Sequence, residues 1–351
     1  MILSAAPATS RHSIKHILLC GSLYGRVYLD ALYKTRHLRL AAILARGSRT
    51  STLLAEQAGV ASITYLDQLA TTPDAAIVAV GSEAGFHLAQ ACLKRRIPVL
   101  LEHPVLPSHC SDLLALAQAM DVRLHINSHF SLLPPAQEFI QLCRALNSQA
   151  QPLSVQISCN SRTLFSLLDI AQAIFGLFNF EALCSDALDA EEHYYQMRFK
   201  LNKIPCIVHY QNWRSAQDDS LDSPLGHQCT ITYPQGIMQL NSSFGPCLWF
   251  PLMAATTGVA YPAYSSLSRL DQAPTHADII AWREDANIQA IESLITPDED
   301  QFTQTPVYLT HLCQNWHTLF TAHGFKVAPP QVNKLTDIFF TAKQLVCSAK
   351  R

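Results

Sequence analysis

Charge is scarce in this chain of 351 residues: Asp, Glu, Lys and Arg together make up 15%, against about a quarter in an ordinary globular protein. Neither sign is in surplus, with 25 Lys+Arg set against 27 Asp+Glu and a formal net charge of −2. That balance argues against a protein built mainly to grip nucleic acid or an anionic membrane, because both tasks need concentrated positive charge. No uncharged apolar run reaches the roughly 18 residues of a membrane span. The first thirteen residues lack a basic region ahead of an apolar one, so no secretory signal is expected. The 11 cysteines are odd in number, scattered, and nowhere spaced as CxxC or as another zinc motif. Cys20, Cys92, Cys143 and Cys159 fall within apolar runs and read as small buried hydrophobes in a reducing compartment. A soluble, cytoplasmic protein without metal is the expectation, and its 49% apolar residues supply ample core.

What is present is a rhythm. Up to residue 127, short apolar runs alternate with amphipathic stretches, the pattern of a parallel sheet covered by helices. Strands are expected at His16 to Cys20, Leu40 to Leu44, Ala75 to Val80, Val99 to Leu101 and Leu124 to Ile126, with a weak one near Ile63 to Tyr65. Helices should start near Tyr24, Thr50, Gly85 and His109. Runs of four to six apolar residues suit strands buried on both faces. Beyond Asn127 a Pro-Pro pair at 134–135 precedes a helix, Leu153 to Cys159 reads as a strand, and Thr163 to Phe178 as an apolar helix. A β-rich stretch follows, with strands at His193 to Leu201, Ile204 to Trp213 and Cys229 to Ser242, the last two parted by an Asp-rich loop. Ala260 to His276 reads as an irregular surface excursion. Helices are expected at Ile280 to Ile295, at Pro306 to His323, and after the Pro-Pro pair at 329–330. Length and rhythm together predict two domains, 1–128 and 129–351.

The first strand meets its helix at Cys-Gly21-Ser22-Leu23-Tyr24-Gly25. Glycine there permits a tight turn and a close backbone approach to a pyrophosphate on the helix N-terminal amides. The full pattern is GxGxxG, and its middle glycine is absent: Leu23 stands in its place. The position in the chain, on an N-terminal strand with a βα series after it, supports the dinucleotide reading over an ordinary turn. The second strand ends Ile-Leu-Ala-Arg46-Gly47-Ser48-Arg49-Thr-Ser. It lacks the Asp or Glu with which NAD-specific sites hold the ribose 2′-hydroxyl. Arg46 and Arg49, with nearby hydroxyls, suit a 2′-phosphate and favour NADP(H), although a solvated basic loop would carry the same residues.

The fourth main strand ends in Gly81-Ser82 and the fifth in Leu-Glu102-His103-Pro104. At this point the chain resembles the glucose-fructose oxidoreductase and inositol dehydrogenase family, in which an N-terminal Rossmann domain ends its fifth strand in Glu-Lys-Pro. The lysine is missing here. Glu-His-Pro resembles one branch of that family, the thiazolinyl imide reductases of siderophore biosynthesis. Further segments are similar to that branch: the 21–25 turn followed by Tyr28, Gly47-Ser48, Ile126-Asn127, Ser161-Arg162 through Asp169 to Gly176, and Ser243-Phe244-Gly245-Pro246 with Trp249. The sugar dehydrogenases of the wider family carry a histidine three residues before the aspartate on the first helix of the second domain. Here that position is Ser166. A tyrosine often found shortly after the asparagine is also absent, replaced by Ser128-His129-Phe130.

The resemblance implies an α/β fold: a Rossmann NADP-binding domain followed by an α+β domain with a large, mostly antiparallel sheet. It implies NADPH-dependent reduction of a thiazoline C=N bond on a carrier domain of a nonribosomal peptide synthetase. The alternatives are an NADP-dependent sugar or polyol dehydrogenase, and a sensor that kept the fold without the chemistry. Cofactor contacts are expected from Gly21, Ser22, Leu23, Tyr24, Gly25, Arg46, Gly47, Ser48, Arg49, Gly81, Ser82, Glu102 and His103. His103 is the first candidate proton donor, since imidazole titrates near neutrality and the residue ends a parallel strand facing the ligand crevice. An ordered water shaped by His103 would be the alternative. His129 is the second candidate, and Asp169 could orient a donor or serve structurally. The resemblance also suggests a homodimer, with residues 255–300 as a docking surface for the carrier domain.

Overall fold

The computed structural model describes residues 13–188, 194–212, 214–215, 226–252, 264–266, 274–296, 304–321 and 327–328. Its first sheet is built from β1 (Lys15–Cys20), β2 (Leu38–Leu44), β3 (Ala61–Ile63), β4 (Ala75–Val78), β5 (Val99–Glu102) and β6 (Leu124–Asn127). All pairings are parallel and the order is β3-β2-β1-β4-β5-β6. Helices α1 (Arg26–Lys34), α2 (Arg49–Gln57), α3 (Ser82–Lys94) and α4 (Pro107–Met120) are the crossovers. The continuous apolar runs follow from this position: every residue of β4, and the last four of β1, is buried from both sides. The weak third strand lies at 61–63 rather than 63–65, because Tyr65 instead opens a short 3-10 turn at Leu66–Gln68.

The chain continues through α5 (Pro134–Asn147), β7 (Ser154–Asn160), α6 (Leu164–Phe175), β8 (Phe180–Ala187), β9 (Tyr194–Leu201), β10 (Ile204–Gln211) and β11 (Arg214–Ser215). It then forms β12 (Gln228–Tyr233), β13 (Gly236–Leu240), β14 (Cys247–Pro251), β15 (Ser265–Ser266), α7 (His276–Ile295), α8 (Pro306–Thr321) and β16 (Val327–Ala328). Eight of these strands make one sheet, ordered β15-β14-β13-β12-β7-β10-β9-β8, in which only β7 and β10 run parallel. The large, mostly antiparallel second sheet is therefore present. The stretch Cys229 to Ser242, read as one strand, is a hairpin: Tyr233 faces Gly236 across Pro234-Gln235, and proline cannot donate to a ladder. Strands β8 and β14 escaped the sequence reading because their residues are largely exposed or half-buried, without the apolar alternation of an inner strand. The apolar helix ends at Phe175, where Gly176 takes a positive φ of 74°. The Asp-rich loop and the helix after residue 330 lie outside the described residues.

The larger core is continuous across the two sheets. It runs from Leu18, Val78 and Leu101 on one face of the first sheet, through Leu113 and Leu312, to Phe165, Ile157 and Val208 in the second half. The opposite face of the first sheet, with Ile17, Ile43 and Ile77, is covered by α1 and by α7, whose Ala290, Ile291 and Leu294 are buried there. A helix from late in the sequence thus completes the N-terminal layer. Lys34 pairs with Asp285, and His37 with Glu292, along the α1–α7 seam. Sequence rhythm could not reveal this, because amphipathicity shows which face is buried but not what buries it. The described part of 255–300 is largely this helix, α7, packed on the first sheet along one side; 253–263, 267–273 and 297–300 lie outside the described residues. Strand β6 is the sheet edge, and the Gln304 side chain bonds both Ile126 N–H and C=O at 2.7 and 2.8 Å, occupying that edge like a short strand.

Nine of the ten described cysteines are buried and none is in a disulfide. No described helix is long and apolar enough to cross a membrane.

Candidate active site

Chain order reverses between β1 and β4: β1 leads to one side of the sheet through α1, β4 to the other through α3. Parallel α/β sheets bind ligands at such a switch point, outside the carboxyl ends of the strands. Two helix N-termini face this crevice, and neither has a side-chain cap: Gly25 precedes α1 and Gly81 precedes α3. Their first amide N–H groups are left for a ligand, whereas α2, away from the crevice, is capped by Ser48. The glycines are required by close approach. Gly21 takes φ +98° and an added Cβ would lie 2.6 Å from Val80 Cγ2, while one on Gly25 would lie 2.1 Å from the Gly21 carbonyl oxygen. Sequence reasoning missed Gly85, whose Cβ would sit 2.0 Å from the Val80 oxygen. The signal was there, since Gly81 to Gly85 repeats the spacing of Gly21 to Gly25. Leu23, in place of the middle glycine, is 76% exposed and points off the turn. Tyr24 is also exposed and Ser22 half-buried. These turns fit the pyrophosphate of a dinucleotide.

The loop after β2 exposes Arg46, Gly47, Ser48 and Arg49. Gly47 has φ +77°. Its hydroxyls are less available than the sequence implied: Ser48 Oγ accepts from Ser51 N–H at 3.2 Å, and buried Ser51 donates to Ser48 C=O at 2.7 Å. The two arginines remain as the cations of this loop.

At the ends of β5 and β6 a polar cluster assembles. The Tyr28 hydroxyl, from α1, donates to Glu102 Oε2. Asn127 Nδ2 donates both to the Tyr28 oxygen and, at 3.0 Å, to Asn287 Oδ1 on α7. His103 Nδ1 lies 2.5 Å from the Asn127 carbonyl and 3.2 Å from Glu102 Oε1. A carbonyl can only accept, so Nδ1 carries the proton and Nε2 is turned away from these partners. The His103 ring stacks on Phe165 with centroids 5.2 Å apart, and the His103–Pro104 bond is cis.

Electrostatics separates the imidazoles. Burial works against charge on His103, but the hydrogen bond and attraction of Glu102, with the Asn127 carbonyl and the Asp169 charge, outweigh it and raise its pKa. Burial likewise opposes charge on Glu102, yet the His103 and Tyr28 contacts hold its carboxylate below the usual range. Each partner thus favours the charged form of the other, and His103 keeps its proton to higher pH than a free histidine. His129 has no such partner, and burial depresses it to about 3. Its Nε2 lacks a hydrogen-bond partner, as does Asn127 Oδ1. Asp169, in the middle of α6, accepts from Tyr308 O–H at 2.7 Å, and burial raises its pKa. It borders a cavity of about 50 Å3 with Asn127, Ser128 and Ser131.

The structure thus brings Glu102, His103, His129 and Asp169 to one edge of the first sheet, with Gly21–Gly25 and Gly81 beside them. Of Ser82 only the backbone position, at the start of α3, is described. Tyr28 and Asn127, which the sequence offered only as points of resemblance, and Asn287 and Tyr308, which it did not offer, complete the cluster. Nothing local marks an asparagine 160 residues away as a partner of Asn127. Among the described residues, no group of three His, Cys, Asp or Glu could hold a metal ion.

A parallel six-stranded sheet with open helix N-termini at its switch point, followed by a helix, α6, that lends Asp169 to the same crevice, defines an oxidoreductase of the nicotinamide-dinucleotide type. Residues 15–128 match the model of the Gfo/Idh/MocA family, described as an oxidoreductase family with an NAD-binding Rossmann fold. Residues 150–250 match the model of the thiazolinyl imine reductase Irp3-like C-terminal domain. No curated protein sequence matches the chain. Among solved structures, an oxidoreductase from Agrobacterium radiobacter in complex with NAD+, L-tartaric acid and magnesium is 14% identical, with TM-score 0.66, covering 87% of this chain and 95% of that one. A Gfo/Idh/MocA family oxidoreductase from Vibrio cholerae is 16% identical, with TM-score 0.65 and coverages of 88% and 97%. Biliverdin reductase from Synechocystis, in complex with biliverdin and NADP+, is 12% identical, with TM-score 0.63 and coverages of 89% and 99%. At such identities the likeness shows the fold alone.

Proposed function

We propose that this protein is an NADPH-dependent imine reductase that converts a thiazoline, carried as a thioester on a nonribosomal peptide synthetase during siderophore assembly, to a thiazolidine. The observation that carries the reading is the setting of the His103 imidazole: Glu102 beside it favours the protonated form, the Asn127 carbonyl fixes Nδ1–H, and Nε2 is left to donate. Reduction of C=N needs a hydride at carbon and a proton at nitrogen. Bound NADPH supplies the hydride. His103 Nε2–H gives its proton to the imine nitrogen, and Glu102 stabilises the imidazolium before transfer. Tyr28 on α1 and Asn127 hold Glu102 and His103 in register at the ends of β5 and β6, so that the donor is placed before substrate arrives. The match of residues 150–250 to the thiazolinyl imine reductase domain supports the same substrate. So does Ser166, buried and unable to act as the helix-borne acid/base of sugar oxidation. The test is loss of nicotinamide absorbance with a thiazoline analogue and with a panel of sugars and polyols. Turnover of sugars without thiazolines would sink the proposal in favour of a polyol dehydrogenase.

The absence of any acid in residues 43–51, and the exposure of Arg46 and Arg49, support NADPH over NADH. Replacing both arginines by alanine is expected to weaken NADPH binding by about tenfold to a hundredfold, the loss of one or two charge-assisted contacts, and to leave NADH binding unchanged. Isothermal titration with each cofactor measures this. An equal loss for both cofactors would show that the loop does not read the 2′-phosphate.

The open face of the second sheet supports a homodimer. Gln156, Ile207, Thr230, Thr232, Ile237 and Phe250 share that face by register and are half-buried or exposed, and from β7 across to β14 the face carries no charged residue. Ile237→Lys is expected to give monomers in light scattering; an unchanged mass would place any dimer contact elsewhere.

A further inference from the structure

The crevice contains another imidazole that the reaction as written leaves unused. His227, one residue before β12, is 1% exposed. Its Nε2 lies 2.6 Å from Ser166 Oγ on α6, and its Nδ1 lies 2.7 Å from Ser243 Oγ beyond β13. The His227 backbone N–H also donates to Ser243 Oγ at 3.2 Å. With both ring nitrogens engaged, the imidazole cannot turn without leaving a hydrogen bond unmade in a site closed to water. The held ring packs against Phe130 with centroids 4.5 Å apart, and Phe130 packs in turn against the His129 ring at 4.2 Å. His227 and the consecutive residues Phe130 and His129, nearly a hundred residues earlier in the chain, thus form one tilted stack.

The stack ends on a nitrogen that wants a partner. His129 is 8% exposed and its Nε2 bonds to nothing in the described chain. A buried polar atom left this way points to a ligand that completes it. His129 follows directly on Asn127 and Ser128, at the end of the strand beside His103. Ser166, which stands where the sugar dehydrogenases carry a histidine, meets an imidazole all the same, delivered from another strand.

We propose that His227 is a positioning residue: pinned by Ser166 and Ser243, it fixes the Phe130 ring and through it the orientation of His129, which offers Nε2 to the substrate. This rests on the crevice being the substrate site, as in the function proposed above, but not on the substrate being a thiazoline. His227 acts by shape and hydrogen bonding, since burial and the neighbouring imidazoles keep it uncharged, at a pKa of about 3.

The ring NMR signals of His129, observed in cofactor-free protein labelled at histidine, test the idea without any substrate. Ser166→Ala removes one hydroxyl, and His227→Asn removes the ring while keeping polar groups. Both are expected to shift or broaden the His129 ring signals. His227→Phe, which keeps an aromatic face against Phe130, should restore them in large part. In turnover, His227→Asn should lower kcat about tenfold or more with KM changed less than about threefold, the pattern of a misplaced group rather than lost binding. If His129 signals in Ser166→Ala and His227→Asn coincide with wild type, the proposal is overturned. A protein that shows the shifts but does not reduce thiazolines would retain this inference and lose the substrate assigned above.

Discussion

Replacing His103 by glutamine is expected to lower the rate of hydride transfer to a thiazoline by about a hundredfold or more, the usual contribution of a positioned general acid. Stopped-flow single-turnover measurement isolates that step from product release. The sign of the pH dependence follows from the direction of the shift. A raised pKa means that His103 stays protonated to higher pH than a free histidine, so the wild-type rate is full below that pKa and falls tenfold per pH unit above it. Glu102→Gln removes the attraction that outweighs burial, so its limb should move to lower pH. Near-wild-type transfer in both His103→Ala and His103→Gln would take the proton away from His103 and give it to water or another group. The fold itself gains from the pair. Its contribution is complete between the ordinary carboxylate and histidine values, and is lost as pH falls through the lowered Glu102 pKa or rises through the raised His103 pKa.

Mild acid should unfold the protein through three other histidines. Burial holds His125 at about 4 and both His129 and His227 at about 3, against an ordinary 6.5. Below about pH 6 the unfolded chain therefore binds up to three more protons than the folded one, and stability declines as pH falls. At 1.36 kcal/mol per proton and pH unit, the limiting slope is roughly 4 kcal/mol per pH unit between about pH 4 and 6, comparable over two units to the whole stability of a domain. Asp169, with its raised pKa, takes up its proton earlier in the folded state and offsets part of this loss. Urea unfolding across that range measures the slope. In His125→Phe the slope should drop by about a third, since one of the three depressed imidazoles is removed; a flat profile in wild type would mean that these imidazoles are solvated.

Much of the first sheet is legible without coordinates because its physics is local in sequence. Short apolar runs such as Ala75 to Val78 are buried on both faces, and the crossover helices lie between them. The 21–25 turn is legible because its glycines stand at a strand-to-helix join; the approach that requires Gly25 is local, to the Gly21 carbonyl, whereas the one that requires Gly21 is to Val80, just beyond a strand the sequence does not pair with it. The second sheet is less so. Its outer strands β8 and β14 carry little burial contrast, and the hairpin at Pro234-Gln235 hides inside one β-rich run. In the site, His103, Glu102, His129 and Asp169 can be picked out as residues that end strands or sit alone among apolar neighbours. Their partners cannot.

The sequence by itself determined the order of elements in the first sheet, the 21–25 turn, the loop without an acid after the second strand, and the Glu-His-Pro end of the fifth. Each is marked by residues within a few positions of one another, where the run of side-chain types suffices. The tertiary structure decided that α7 covers the first sheet, that Asn287 reaches Asn127, that Tyr28 closes on Glu102, and that His227 meets Ser166. These are contacts across 61 to 255 residues, made because buried groups must find partners wherever the fold places them. They also decided the charges. His103 and His129 are the same side chain two strands' ends apart, and only the carboxylate beside one of them keeps it an acid.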